Sequence, residues 1–318
     1  MKICTLVPAY KTGYLKDLLR GLRSQTVPSN CIIFSDDSPN GAFATLLFSD
    51  AFKPYRDGLP IELVRGPRKG AFSNFQHLIR QWDGSSELFH IHLDDDLVYP
   101  EFYEKHLIAH ASGDFSCSVS KRWEADEDGQ PVRGQNPPLA VSSSSQRMLS
   151  LDAGVVFQTT VAECKNWFGE FSNAVFRTSC ADLVLRPELA GVSFAGLWDL
   201  GAFAAASVEK PLCYIQEGLG FFRKGPDQNS AQTYGPIMKA AIMAYVALAL
   251  SGRRLNKVSV EQSLSVFRTI SSVADQWYFA QEDLQPMRAL LPRMAAQEAG
   301  AEALFLVEWR RFLDHHGY

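Results

Sequence analysis

Three adjacent carboxylates, Asp94-Asp95-Asp96, follow the mostly apolar run Phe89–Leu93. Side by side, they repel one another unless a positive charge or hydrogen bonds offset them. A hard divalent ion that keeps its waters and shares phosphate oxygens suits such a group. The alternative is a solvated acidic turn that caps a following helix, and Pro100 does suit a first helical position. Capping needs one side chain, however, not three. Phe89–Leu93 has strand character, so the acids stand at a strand's carboxyl end, where open α/β sheets bind ligands.

Other polar residues are spaced for related chemistry. Asp36 and Asp37 follow the strand-like Cys31–Phe34. They could hydrogen-bond a base or a ribose, or form an Asx turn before Gly41. Arg68 and Lys69 lie in the loop Gly66–Gly70, ahead of a helix marked by Phe72, Phe75, Leu78, Ile79 and Trp82. Basic groups at a helix N-terminus suit a diphosphate, or are simply solvated. Asn74 lies off that apolar stripe. Asp199 opens an alanine-rich helix, where the dipole favours a carboxylate.

The elements that must position these residues alternate along the first part of the chain. Ile3–Val7 reads as a buried strand ending at Pro8, and Tyr14, Leu15, Leu18, Leu19 and Leu22 share one helical face. With Cys31–Phe34 they make a right-handed β-α-β unit. No G-x-G-x-x-G follows the first strand, which argues against an ordinary dinucleotide fold. Ile61–Val64 is a strand, Pro100 to His110 a helix, and Phe115–Val119 a strand. Glu124–Gln146, with Asn136-Pro137-Pro138 and Ser142–Ser145, reads as a long irregular segment, either a lid or a flexible insertion. Leu151–Phe157 resumes a strand and Thr160–Trp167 a helix. Leu212–Ile215 is a strand, and Gly225–Ser230 a loop. From Pro236 onward the pattern is helical, with a capping box at Ser259–Gln262. Leu264, Phe267, Leu304, Phe305 and Phe312 are expected to be buried there. The expected division is 1–235 for an α/β domain and 236–318 for a helical region.

Composition excludes some functions. A net charge of −4 over 318 residues gives no basic footprint for nucleic acid. Six scattered cysteines without a C-x-x-C pair read as reduced thiols of a cytosolic protein. Met1-Lys2 runs straight into a strand, so no signal peptide is expected. The most apolar helix, Ile237–Leu250, contains Lys239 and is too short to span a bilayer.

Taken in order, these stations resemble a family 2 glycosyltransferase with the GT-A fold, over about residues 2–230. Val7-Pro8-Ala9-Tyr10 with Gln25-Thr26 is similar to the family's opening V-P-x-Y and Q-T. Ser35-Asp36-Asp37-Ser38 resembles its D-D-x-S nucleotide loop, and Asp94-Asp95-Asp96 its D-x-D metal motif. Gly66–Gly70 with Asn74 looks like the bacterial rhamnosyltransferase-like subgroup. So do Asp199, Tyr214–Leu219 and Phe222-Arg223 at their spacing. The chain departs from the pattern at Lys224, where the family often has a histidine, and at Gly218, where proline is usual.

The resemblance implies an α/β GT-A sandwich, here with a C-terminal helical extension. It implies an inverting, metal-dependent transfer of a sugar from a nucleotide diphosphate to a hydroxyl. Asp199 would be the base and Asp96 the ligand of Mn²⁺ or Mg²⁺. Pro8, Ala9, Tyr10, Asp36, Asp37, Lys69, Asn74, Asp94, Asp95 and Arg223 would bind the donor, a UDP- or dTDP-sugar. The acceptor would be a glycan or lipid-linked glycan met in the cytoplasm, at the inner membrane face by peripheral association. Two other readings are a GT-A-like protein that binds nucleotide or glycan without catalysis, and an aspartate-nucleophile phosphatase. The second matches Leu93–Val98, but that motif normally stands near the chain's start.

Overall fold

The computed structural model describes residues 1–226 and 228–318; Asp227, within the expected loop Gly225–Ser230, lies outside them. The chain forms two compact units. The first comprises Met1–Leu151, Phe168–Leu185 and Glu209–Lys224; the second comprises Asp152–Trp167, Arg186–Val208 and Gly225–Tyr318.

In chain order the strands are β1 (Ile3–Ala9), β2 (Cys31–Asp36), β3 (Ile61–Arg65), β4 (Leu88–Ile91), β5 (Leu97–Val98), β6 (Cys117–Ala125), β7 (Pro131–Gly134), β8 (Met148–Leu151), β9 (Ala174–Arg177), β10 (Glu188–Leu189), β11 (Val192–Ser193) and β12 (Leu212–Arg223). Among the described residues, the first unit holds a ten-stranded sheet in the order β3-β2-β1-β4-β9-β6-β12-β5, with β7 on β6 and β8 on β12. β1 runs parallel to β2 and β4, and β6 parallel to β12, while β9 is antiparallel to both of its neighbours. Every residue of β1 is buried, as a parallel strand covered on both faces requires. The helix Leu15–Arg23 buries Leu15, Leu18, Leu19 and Leu22. These pack with Ile3, Val7, Phe34, Val98 and Phe102 in one core.

Several expected elements are corrected. Leu151–Phe157 is not one strand, because β8 stops at Leu151 and Ala153–Thr159 is helical. The Asp152 side chain accepts the Val155 N–H at 2.9 Å, and this N-cap outweighs the β-preference of Val155 and Val156. The helix expected at Thr160–Trp167 does not form. The Thr160 hydroxyl donates back to the Val156 carbonyl at 2.6 Å, and Cys164 sits at φ 51°. The segment Glu124–Gln146 is more ordered than its composition suggests. β6 continues to Ala125, and β7 returns beside it. Asp126 Oδ1 accepts from Asp128 N and Gln130 N at 3.1 and 2.8 Å, and Gly129 takes φ 80°, so the acidic run is a tight hairpin turn. The helix after the acid triplet begins at Phe102 rather than Pro100, with Glu101 as its N-cap.

The second unit contains the helices Trp198–Glu209, Pro236–Arg254, Val260–Trp277, Gln285–Ala295 and Ala301–His316. The Ser259–Gln262 capping box forms as expected. Leu264, Phe267, Phe305 and Phe312 are buried, but Leu304 is 49 % exposed. Ala301, Phe305, Trp309 and Phe312 form the inward stripe, and Leu304 lies one residue, about 100°, off it. Lys239 is tolerated inside the apolar helix because it pairs with Asp283. Gly196 has φ 96°, and a Cβ there would stand 2.6 Å from the Ala240 backbone. Gly196→Ala is therefore expected to cost at least about 1–3 kcal/mol, read as a lowered melting temperature. An unchanged melting curve would refute this account of the contact. Among the described residues, no helix is long and apolar enough to cross a membrane.

Candidate functional site

The acid triplet lies in a short turn between β4 and β5. His92 N–H donates to the Leu6 carbonyl at 2.9 Å, which keeps the chain beside β1 past the end of β4. Leu93 N–H then donates to Ser172 Oγ at 3.0 Å. Asp94 Oδ2 accepts the backbone N–H groups of Tyr10 and Lys11 at 2.6 and 2.5 Å. The Lys11 ammonium stands 2.5 Å from Asp95 Oδ2. Asp96 Oδ1 accepts the Arg223 N–H at 3.1 Å, while its buried Oδ2 has no hydrogen-bond partner among the described residues. β5 closes the turn against β12, where Gly220 is needed because a Cβ would clash with the Leu97 carbonyl oxygen.

Burial sets the charge states. It raises the Asp94 carboxyl to about 7, helped by Asp95 and opposed by the Lys11 and Tyr10 N–H groups. Burial also drives Asp96 well above the usual carboxylate range, with Asp95 and Glu170 adding to the effect. The Ser172 hydroxyl and the Arg223 N–H work the other way. For Lys11, burial disfavours the ammonium, but Asp95 and Asp94 more than compensate and its pKa is raised.

Arg223 locks the loop. Its Nε donates to the Asp95 carbonyl at 2.9 Å, Nη1 to the Glu127 carbonyl at 2.5 Å and Nη2 to Asp17 at 3.1 Å. The guanidinium lies 4.3 Å from the Tyr14 ring centroid and 5.2 Å from that of Phe221. The side chain expected to bind donor therefore also braces the acid loop from behind.

The second acidic pair is similarly engaged. Asp36 accepts from Ser38 N, Ser38 Oγ and Ala44 N at 2.9, 2.5 and 2.9 Å, which is the Asx-turn arrangement. Asp37 Oδ1 accepts the Arg68 N–H, and a Cβ on Gly66 would stand 2.6 Å from that oxygen. Asn74 is buried, bonding Ser35 Oγ at 2.5 Å and the Ser35 carbonyl at 3.2 Å. These contacts draw the Asp36-Asp37 and Gly66–Gly70 loops together, and Lys69 projects from them exposed. Pro8 and Ala9 pair with Ser35 and Asp36, and Tyr10 is 56 % exposed beside them. Pro8 to Tyr10, Asp36, Asp37, Lys69, Asn74, the acid triplet and Arg223 all belong to the first unit, and Asp199 to the second. Asp199 is half-buried in the first turn of its helix, and its Oδ1 accepts the Leu200 N–H at 2.7 Å.

Lys11, Ser172 and Arg122, in or near the surroundings of the acids, were not singled out by sequence. Lys11 and Ser172 touch the loop directly, and Glu170 lies near enough to Asp96 to raise its pKa. Arg122 holds Glu170 at 2.6 Å. Lys11 could have been found, since it directly follows Val7–Tyr10 and is the nearest cation to that run. Ser172 and Glu170 arrive through β9 and its preceding turn, which no periodicity marks.

Among the described residues, no three His, Cys, Asp or Glu side chains form a cage able to hold a metal by themselves. The leftover buried oxygen of Asp96 does fit a Mg²⁺ or Mn²⁺ ion that takes most of its ligands from phosphates and water.

Fold and sheet order together define an α/β protein of the GT-A type. S. aureus TarS, residues 1–349 in complex with UDP-GlcNAc, superposes with a TM-score of 0.56 at 12 % identity, over 100 % of this chain and 92 % of that one. The complex of the same fragment with UDP gives 0.51 at 13 % identity, over 100 % and 92 %. A longer TarS structure gives 0.52 at 12 % identity, over 99 % of this chain and 55 % of its own. No protein-family model matches the chain. No curated protein matches it by sequence either.

Proposed function

We propose that the protein is an inverting, metal-dependent family 2 glycosyltransferase that moves a hexose from a UDP-sugar, or less favourably a dTDP-sugar, to a glycan or lipid-linked glycan hydroxyl. The observation that carries this reading is the buried, partly unpartnered Asp96 carboxylate beside β4 in a GT-A fold. The UDP and UDP-GlcNAc held by the similar TarS structures favour uridine over thymidine. The loops at Asp36-Asp37 and Gly66–Gly70 would receive the nucleoside, with Lys69 toward the diphosphate. Asp96 would hold a divalent ion, whose chemistry is to stabilise charge on the departing diphosphate. The oxocarbenium-like centre left behind is attacked by the acceptor hydroxyl, whose proton passes to Asp199. The rhamnosyltransferase-like spacing at Asp199 and Arg223 supports that assignment. The reading places the enzyme in the cytoplasm, at the inner membrane face where lipid-linked acceptors are found.

Calorimetric titration with UDP, dTDP and UDP-GlcNAc, with and without Mn²⁺, tests the proposal. UDP binding is expected to tighten with Mn²⁺ in the wild type, and Asp96→Asn is expected to remove that dependence. Equal affinity with and without metal would overturn the metal role. Failure to bind any of the three would overturn the nucleotide-sugar reading.

A further inference from the structure

We propose that Trp123 is a stacking platform for a pyranose ring of the acceptor glycan; the proposal rests on the glycosyltransferase reading above and specifies its acceptor side. Trp123 stands on β6 between β7 and β12, paired with Gly134 on one side and Phe221 on the other. A Cβ on Gly134 would come within 3.3 Å of indole Cζ3, and one on Gly218 within 3.0 Å of indole Nε1. The indole therefore lies down across the sheet, over two glycines that leave it room. Glycine weakens a strand interior and often marks a close approach. Here glycines on both flanking strands serve one side chain, yet the arrangement does not bury the ring, since Trp123 remains 43 % exposed. An indole held down with its outer side open presents an electron-rich π face. The C–H groups of a sugar ring carry the complementary partial charge and form an apolar face that stacks on it. Lys121 shares that face of β6 and pairs with Gly218, so it places a hydrogen-bond donor beside the platform for sugar hydroxyls.

Position assigns the platform to the acceptor. β9 is antiparallel to both β4 and β6, so the carboxyl end of β6, with Trp123, lies at the sheet edge that carries the acids. Trp123 pairs with Phe221, and Phe221 with Leu97, the residue after Asp96. Two strand spacings, about 10 Å, separate the platform from the acid loop. A bound sugar can bridge that span. The loops proposed for the nucleoside follow β2 and β3, on the other side of β4 in the sheet order. Inversion requires the acceptor hydroxyl to approach the anomeric carbon opposite the departing diphosphate. A ring on Trp123 is on the flank of the acids away from the nucleoside, where that approach begins.

The test uses Trp123→Phe, which keeps an aromatic face, and Trp123→Leu, which keeps apolar bulk without one. Wild type and variants are applied to a printed array of oligosaccharides with UDP and Mn²⁺ present, and are titrated with UDP and with UDP-GlcNAc. Thermal melts confirm folding. The wild type is expected to retain a subset of the printed glycans and Trp123→Phe the same subset. Trp123→Leu should bind them roughly fivefold more weakly or worse, the scale of one aromatic stacking contact. Affinities for UDP and UDP-GlcNAc should not change. Equal glycan binding by Trp123→Leu and the wild type, or a wild type that binds UDP but retains no glycan, overturns this proposal alone. Trp123→Leu that loses UDP-GlcNAc but keeps UDP also overturns it, by giving the platform to the donor sugar. Wild-type protein that takes up no UDP overturns the nucleotide-sugar reading, and the acceptor role with it.

Discussion

Asp199→Asn is expected to lower sugar transfer by about 10²–10⁴-fold, the usual contribution of a positioned general base. UDP affinity and its dependence on Mn²⁺ should stay within about twofold of the wild type, since Asp199 is not among the residues proposed to hold donor and metal. An acceptor hydroxyl near neutral pH is a poor nucleophile, and asparagine keeps the shape of the side chain but cannot take its proton. Glu170→Gln is the control, because Glu170 lies beside Asp96 in the unit that holds the acids. The measurement is turnover with a working acceptor, paired with UDP titration. Near-wild-type turnover in Asp199→Asn with a large loss in Glu170→Gln would move the base to Glu170. Lost UDP binding in Asp199→Asn would remove it from the role of base.

The second large effect is on stability, through histidines behind the acids. His90, His92, His106 and His110 are all buried. His90 bonds the Tyr103 hydroxyl and the Ser172 carbonyl at 3.1 and 3.0 Å, His106 bonds Ser118 Oγ at 2.7 Å, and His110 bonds the Val175 carbonyl at 3.1 Å. Burial lowers His92 and His110 to about 4 and holds His90 and His106 well below the usual histidine range. A histidine lowered on folding contributes stability above its unfolded value, about 6.5, that is lost as pH falls toward the folded value. Asp94 and Asp96 act in the opposite direction, because they bind protons in the folded state before the unfolded chain does. Four histidines act against two carboxyls, so on the acid side the unfolded chain binds more protons than the folded one. Stability should therefore fall as pH drops below the unfolded histidine value of about 6.5. Melting curves recorded from pH 7.5 to 5 should show a steep loss on the acid side. A melting temperature flat from pH 7 to 5.5 would falsify the burial of neutral histidines.

Much of the first unit was legible because its strands are continuous apolar runs that end in chemistry-bearing residues. The strands read at Ile3–Val7 and Cys31–Phe34 form, each running two residues further than the pattern put it, and the acids follow β4. What escaped was set by contacts distant in sequence. β9 is three ordinary apolar residues and an arginine, and only its place between β4 and β6 makes it central. The hairpin at Asp126–Gln130 resembles an unstructured acidic run until its Asx turn is drawn. A single N-cap, Asp152, changes two β-branched valines from strand to helix. At the site, residue types indicated the acids, but not which of their oxygens the protein itself already satisfies. Asn74 and Arg223 show the limit, since both bond mainly to protein groups.

The bracing of the acid loop by Arg223 also bears on the order in which the chain is made. The two bonds from Arg223 to Asp96 and Asp95 span 127 and 128 residues. β1 to β4 are complete by Ile91, so a ribosome-bound chain holds that parallel quartet early. The strand that flanks β4 on its other side, β9, comes only at Ala174, and the brace only at the end of β12. Over that interval the acids emerge with their amide contacts at Tyr10 and Lys11 available but no lock behind them. A nascent chain therefore cannot complete the brace on the acid loop until residue 223 has left the exit tunnel.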